Sequence, residues 1–284
     1  MKTPASKKGK QIMTFFKILS SDFRRMFLSW KFYIAVLGIA GLTFLSIWPE
    51  VTATGYRCSV YYLVSTRGGL GAFFKAFTVL IVLPYSLSYW EDVNNNYIYS
   101  LKSRTGVTMY CWSHTLTAAT GAFLTVFLGC IICFGLLAIG LPVIRPDELE
   151  VMQEYLEGNA LGVYDTLILQ QPRVLYFIAE FSTEALGYSF LAVFALIVSA
   201  KIENAFILLS MPVMFYQVSI LLCNILDLPG IFRWYYIMGS GGFFSGIFTD
   251  IRELMVCVFL YFGGLICLEC FVFVFCLERR RLHG

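Results

Sequence analysis

Six apolar stretches, at 32–48, 69–90, 112–141, 174–200, 205–224 and 254–277, dominate this chain of 284 residues. Each is long enough, at ~1.5 Å per residue, to cross a hydrocarbon core of ~30 Å, the first only just. Lipid offers no partner for backbone amides, so apolar runs of this length are helical; a closed barrel shows short alternating strands instead. The pattern predicts an all-α integral membrane protein with six transmembrane helices. The chain is 58% hydrophobic and 14% charged, against about 25% charged in soluble proteins. The transmembrane domain takes 32–277, and the flanks 1–31 and 278–284 are too short for a separate domain of about 50 residues.

Sorting the charge by loop orients the spans. With the N-terminus in the cytoplasm, fourteen Lys and Arg fall inside and six outside, with Lys75 within a span. Carboxylates run the other way, five inside and ten outside, although acids weigh little in setting topology. Both termini are expected to be cytoplasmic and the location to be the cell membrane. The net charge is only +3, and no nucleic-acid partner is expected. The first thirty residues are too basic and too long for a cleavable signal, so the first span reads as uncleaved. Eight of the nine cysteines fall in or at the ends of spans, and only Cys58 in an outer loop. They read as small apolar-like core residues.

Residues 1–10 read as a disordered basic tail. Beyond them Ile12, Phe15, Phe16, Leu19, Phe23, Met26, Phe27 and Trp30 recur at helical spacing, with Lys17, Ser20, Ser21, Arg24 and Arg25 on the other side. That pattern predicts an amphipathic helix lying in the cytoplasmic interface. In the outer loop 143–173, Pro146, Asp147 and Glu148 open a short acidic helix that ends at Gly158. The segment 225–253 is too apolar for a free loop yet is broken by Pro229, Gly230, Gly241 and Gly242. It is expected to re-enter the outer leaflet as short helices covered by protein.

The cytoplasmic loop after the second span places the acids Glu91 and Asp92 before an aromatic-aliphatic patch and then Lys102 and Arg104. A helix there would put Tyr97 and Leu101 on one side. Chemistry alone leaves a partner-binding surface and an ordinary solvated loop equally open.

The whole arrangement resembles the ABC-2 type (type V) permease subunits of ATP-binding cassette transporters. That family has six spans, cytoplasmic termini, an amphipathic N-terminal helix and a broken apolar segment between spans five and six. Its loop after span two reads roughly E-x-x-x-G, a short apolar patch, then S-x-P-x-S/T-R. Glu91 matches the acidic position and Ser103-Arg104 the closing pair, whereas Asn95 stands where Gly is usual and no Pro precedes Ser103. The resemblance implies that the loop docks on a separate ATPase subunit, with Glu91, Asp92, Tyr97, Lys102 and Arg104 in energy coupling. It also implies a second permease subunit, homo- or heteromeric, and an exported substrate. This chain has no phosphate loop of its own: Gly9-Lys10 is followed by Gln11 and preceded by no strand. ATP and Mg would act through the partner, and no cofactor is expected on this chain.

Four charges sit inside the spans. A carboxylate or ammonium mid-bilayer costs at least ~2.5–3.5 kcal/mol on insertion scales, so Lys75, Glu180, Glu184 and Glu269 are candidates for a translocation path or gate. Lys75 and Glu180 lie at similar depth and are placed to pair; the alternatives are snorkelling and ion-paired packing. Other chemistry fails. Cys130/Cys133 and Cys267/Cys270 have redox or metal spacing but no nearby His and no electropositive setting. Ser189 lacks a base, since His114 stands at the inner end of span three. Neither a metal site nor catalysis is expected. Gly38, Gly41 and Gly121 read as helix-packing contacts. The expected function is therefore a permease subunit exporting an amphipathic peptide, antibiotic or lipid-like substrate. The alternative is a non-transporting membrane protein, a sensor, assembly or immunity factor, that binds a partner through the same loop.

Overall fold

The structure, a computed structural model, describes residues 4–54, 57–66, 73–95, 106–158, 162–202, 204–239 and 242–282, with no strand among them. Five helices are long and apolar enough to cross a membrane: α2 (Trp30–Thr54), α6 (Val107–Gly140), α9 (Val174–Val198), α10 (Ala205–Ile225) and α12 (Ile251–Leu282). They fall on five of the six apolar stretches and extend or trim each end by less than two turns. Asn204 caps α10, its side chain accepting from the Phe206 N–H at 2.9 Å.

The stretch 69–90 is built differently. Its described part is α4 (Phe74–Val82), a run of turns over 83–87, and α5 (Ser88–Asn94). Pro84 is the cause. It lacks the N–H that would reach the Leu80 carbonyl, and the Leu83 N–H takes that acceptor at 3.3 Å. Helical bonding resumes with Ser86 N–H on the Val82 carbonyl at 3.1 Å and Glu91 N–H on the Leu87 carbonyl at 3.0 Å. Protein covers the break: Phe77, Ile81, Val82, Tyr85 and Tyr89 are buried, and α4 packs on α2, α6, α9 and α10.

α9 is the centre of the bundle. Its apolar window is 83% buried, against 17% for α10 and 33% for α2, and it packs on α6, α12 and α10. The sequence explains the choice, because α9 alone among these helices carries Glu180, Ser182, Thr183, Glu184 and Ser189 on an otherwise apolar surface. Polar groups of that kind face the interior of a bundle. α2 closes on α6 at Gly129, where a Cβ would stand 2.5 Å from Ile39 Cγ2 and 3.1 Å from the Val36 carbonyl oxygen. Gly38 makes room for Leu80, while Gly41 has nothing within 4 Å of a would-be Cβ and is not a packing contact.

α1 spans Pro4–Leu28, so the expected basic tail forms its first turns from residue 4 onward. Proline is well placed at a helix start, and Ala and Lys are good helix formers. Ile12, Met13 and Phe16 are exposed, whereas Asp22 and Met26 are buried against α6, with Met26 Sδ filling the space left by Gly121.

The expected acidic helix is α7 (Pro146–Glu157), followed by the single turn α8 (Thr166–Leu169). The segment 225–253 folds as two short 3-10 turns, Gly230–Phe232 and Gly242–Gly246, around α11 (Trp234–Ile237). It lies against the middle of α9: Trp234 packs edge-on to Phe190 at 5.3 Å, and a Cβ on Gly187 would meet Met238 at 2.3 Å. Gly242 has φ +44°, and a Cβ there would fall 2.1 Å from the Tyr236 carbonyl oxygen, so only glycine fits.

Candidate functional site

α1, α5 and the first turns of α6 meet at one end of the bundle, and their polar residues collect at the contact. Tyr110, Ser113, His114 and Thr117 recur every three or four residues on α6 and are all buried. Asp22 on α1 accepts a hydrogen bond from Ser113. Asp92, only 2% exposed, accepts from Arg25 Nη1 at 2.6 Å and from the Tyr110 hydroxyl at 2.9 Å. The other arm of Arg25 donates to Glu91 at 2.9 Å, and Lys31 from α2 also reaches Glu91. One arginine thus spans both carboxylates and ties α1 to α5. A carboxylate so far from water persists because charged and polar donors replace its hydration.

His114 completes the cluster. It is 1% exposed and stands between the two aspartates, with Nε2 3.9 Å from Asp22 Oδ2 and 3.6 Å from Asp92 Oδ2. Its Nδ1 is 2.9 Å from Ser88 Oγ. Burial pushes the Asp22 carboxyl above its usual range, against the opposing pull of Ser113 and Tyr85. Burial also raises Asp92, opposed first by the Arg25 hydrogen bond and charge and then by Tyr110.

A serine, a histidine and two aspartates invite comparison with a hydrolytic triad, and the geometry argues against it. Both carboxylates stand beyond hydrogen-bond reach of Nε2. Ser88 is 3% exposed, and the adjoining space, bounded also by Arg25, Lys31, Tyr85 and Glu91, is about 30 Å³. That is room for about one water molecule. The arrangement is suited to holding three elements in register.

Of the five residues expected to couple to an ATPase, Glu91 and Asp92 lie in the last turns of α5 and are engaged within the chain rather than presented outward. Tyr97, Lys102 and Arg104 lie outside the described residues, as does Ser103. The sequence puts Arg25 on the polar side of the amphipathic helix and brings in His114 only as a base too far from Ser189, and it singles out none of Asp22, Lys31 and Ser88 as a site residue. The available signal was the polar stripe Tyr110, Ser113, His114, Thr117 at the start of an otherwise apolar helix.

The four span charges do not converge. Lys75 is exposed on α4, and no ion pair joins it to Glu180 among the described residues. Glu180 and Glu184 are both buried on α9, a turn apart. Glu269 is buried on α12, with Oε2 lacking a hydrogen-bond partner among the described residues. Among the described residues, no group of three or more His, Cys, Asp or Glu is placed to hold a metal ion. The chain matches no family model, no curated protein and no solved structure.

Proposed function

We propose that this chain is a permease subunit of an ATP-binding cassette transporter, crossing the cell membrane six times with both termini in the cytoplasm. In this reading the stretch 69–90 is the second crossing, made by a proline-broken helix, and 225–253 is re-entrant. A separate subunit binds ATP and Mg, and a second permease subunit completes the path for an amphipathic substrate that is exported.

The observation that carries the reading is the Arg25 bridge to Glu91 and Asp92. A polar segment that receives force from a motor has to be fixed to the helices it moves. The acid pair is the foot of the segment 96–105, and Arg25 and Lys31 clamp that foot to α1 and α2. Contact with the motor then falls to Tyr97, Lys102 and Arg104. The amphipathic α1, with exposed Ile12, Met13 and Phe16, would lie in the cytoplasmic interface as a lever. Glu180 and Glu184 on the central helix are the residues proposed for the path.

Co-purification tests this. Tagged full-length protein should bring down a nucleotide-binding subunit, and the double substitution Arg104→Glu with Tyr97→Ala should lose it. Recovery of no nucleotide-binding partner from the native membrane would sink the transporter reading in favour of a sensor, assembly or immunity role.

A further inference from the structure

At the other end of α6, away from the Arg25 cluster, α3 (Val60–Thr66), α7 and the turn before α8 enclose an open cavity of about 470 Å³. Its apolar wall comes from Val151 and Met152, and Tyr61 and Tyr155 add aromatic surface. The carboxylates of Glu148 and Asp165 line the same space. Asp147 also borders it but is neutralised by Arg145 at 2.9 Å.

Glu148 and Asp165 have no such counter-charge: among the described residues neither forms an ion pair with Lys or Arg. Their hydrogen bonds come from neutral donors: Ser59 Oγ and the Arg145 N–H on Glu148, each at 2.9 Å, and the Tyr61 hydroxyl on Asp165, also at 2.9 Å. Gly162 makes the placement possible, because a Cβ there would sit 2.9 Å from Asp165 Oδ2. Tyr61 packs at a tilt against Tyr176 of α9, ring centroids 5.3 Å apart, and its phenol is pushed up by burial and by the charges of Asp165, Glu148 and Glu180. Behind the cavity, then, stands a further carboxylate that is 8% exposed on the central helix.

From this geometry we infer that the cavity walled by Tyr61, Val151, Met152 and Tyr155 binds a small organic cation bearing apolar groups, its charge held between Glu148 and Asp165. Aromatic rings and methylene surface take up the apolar part, and the cation supplies the charge that no described Lys or Arg provides. An anion of the same shape is repelled by the field that attracts the cation. That this cation is the transported cargo rests on the permease reading; that it binds here does not.

Tetraphenylphosphonium and tetraphenylborate, nearly identical in shape and opposite in charge, test the inference. Binding of each is measured on purified full-length protein in nanodiscs, with empty nanodiscs to subtract partition into lipid. The phosphonium should bind saturably and the borate should not. Glu148→Gln combined with Asp165→Asn, which keeps the Asp165 acceptor for Tyr61 and one of the two acceptors on Glu148, should weaken phosphonium binding tenfold or more. Val151→Trp, at a half-exposed position, should abolish it by filling the cavity without touching charge, which keeps the test decisive if the amide variant folds poorly. Equal saturation by both ions, or phosphonium binding unchanged in Val151→Trp, would overturn the proposal. The assay uses neither ATP nor a partner, so its failure leaves the co-purification test untouched.

Discussion

Arg25 Nη1 lies 2.6 Å from the carboxylate of Asp92, joining two residues 67 positions apart in the chain. Arg25 keeps 38% of its side chain exposed, whereas Asp92 keeps 2%. The asymmetry decides what each substitution does. Removing the arginine strands a buried carboxylate, while removing the carboxylate leaves an arginine that water and Glu91 can still satisfy.

Arg25→Ala should therefore cost more than Asp92→Asn. Losing a charge-assisted hydrogen bond to a buried group costs about 1.5–3 kcal/mol, and the exposure of Arg25 argues for the lower half of that range. A double-mutant cycle on unfolding stability in detergent should return a coupling of about 1 kcal/mol or more between the two. Additive effects would mean that the pair does not hold α1 to α5.

Asp22 gives a pH dependence with a definite sign. Its folded-state carboxyl is raised above the ordinary value of 3.8, chiefly by burial, so the folded protein pays to ionise it. The stability it contributes is full below 3.8 and is lost as pH rises through the folded-state value. Asn keeps the acceptor for Ser113 and has no charge to desolvate. Asp22→Asn should match the parent at low pH and become the more stable protein as pH rises toward neutrality, with a constant gap above. Thermal unfolding across pH measures this, and a variant less stable at neutral pH would show that the charge itself is needed.

The fold was legible wherever one residue type repeated without interruption. Apolar length alone located α2, α6, α9, α10 and α12, because backbone satisfaction in lipid leaves no alternative to a helix. Pro146 and Gly158 likewise marked both ends of α7. The break at Pro84 was harder to read, since proline inside an apolar run is tolerated when neighbouring helices cover the freed carbonyl. The site was legible at Glu91 and Asp92 as an acid pair, while their partner Arg25 stands 66 and 67 positions away and leaves no local signal beside them. An amphipathic pattern shows that α1 has two faces but not that Asp22 and Met26 turn toward α6, a fact fixed by Ser113 and Gly121 on another helix.

Close approach by glycine supplies a test of packing around the central helix. At Gly129 an added methyl meets both Ile39 and the Val36 backbone carbonyl, and backbone cannot yield as a side chain can. Gly129→Ala should destabilise by about 1–3 kcal/mol despite the better helix propensity of alanine. At Gly187 the obstacle is the Met238 side chain, but its Cγ and its Cβ would stand 2.3 and 2.9 Å from the added methyl, and a Cβ moves only with its backbone. Gly187→Ala should also destabilise there, and Met238→Ala, which removes the Cγ and Sδ contacts, should relieve part of the cost. Hydrogen exchange confined to residues 230–246 would report loosening of that segment in Gly187→Val. No relief of Gly187→Ala by Met238→Ala would contradict the contact between α9 and the Met238 side chain.

Whether α4 and α5 complete a crossing is settled by sidedness. Five crossings put the two termini on opposite sides of the membrane, and a sixth puts them on the same side. The described helices show why the question is open to experiment, since α4 is only 9 residues long and spans about 14 Å at ~1.5 Å per residue. The Pro84 turns and α5 have to supply the remainder. Cysteines introduced at Met13 and Tyr155, both more than half exposed, can be probed with a membrane-impermeant maleimide after the exposed Cys267 is replaced by serine. A protease-cleavable tag marks the C-terminus. In intact cells Tyr155→Cys should react, while Met13→Cys and the tag should both stay protected until the membrane is opened. A protected Met13→Cys alongside a cleaved tag would contradict the fold itself, in which Arg25 of α1 meets Asp92 of α5, and Tyr89 of α5 meets Phe273 of α12, at one end of the bundle.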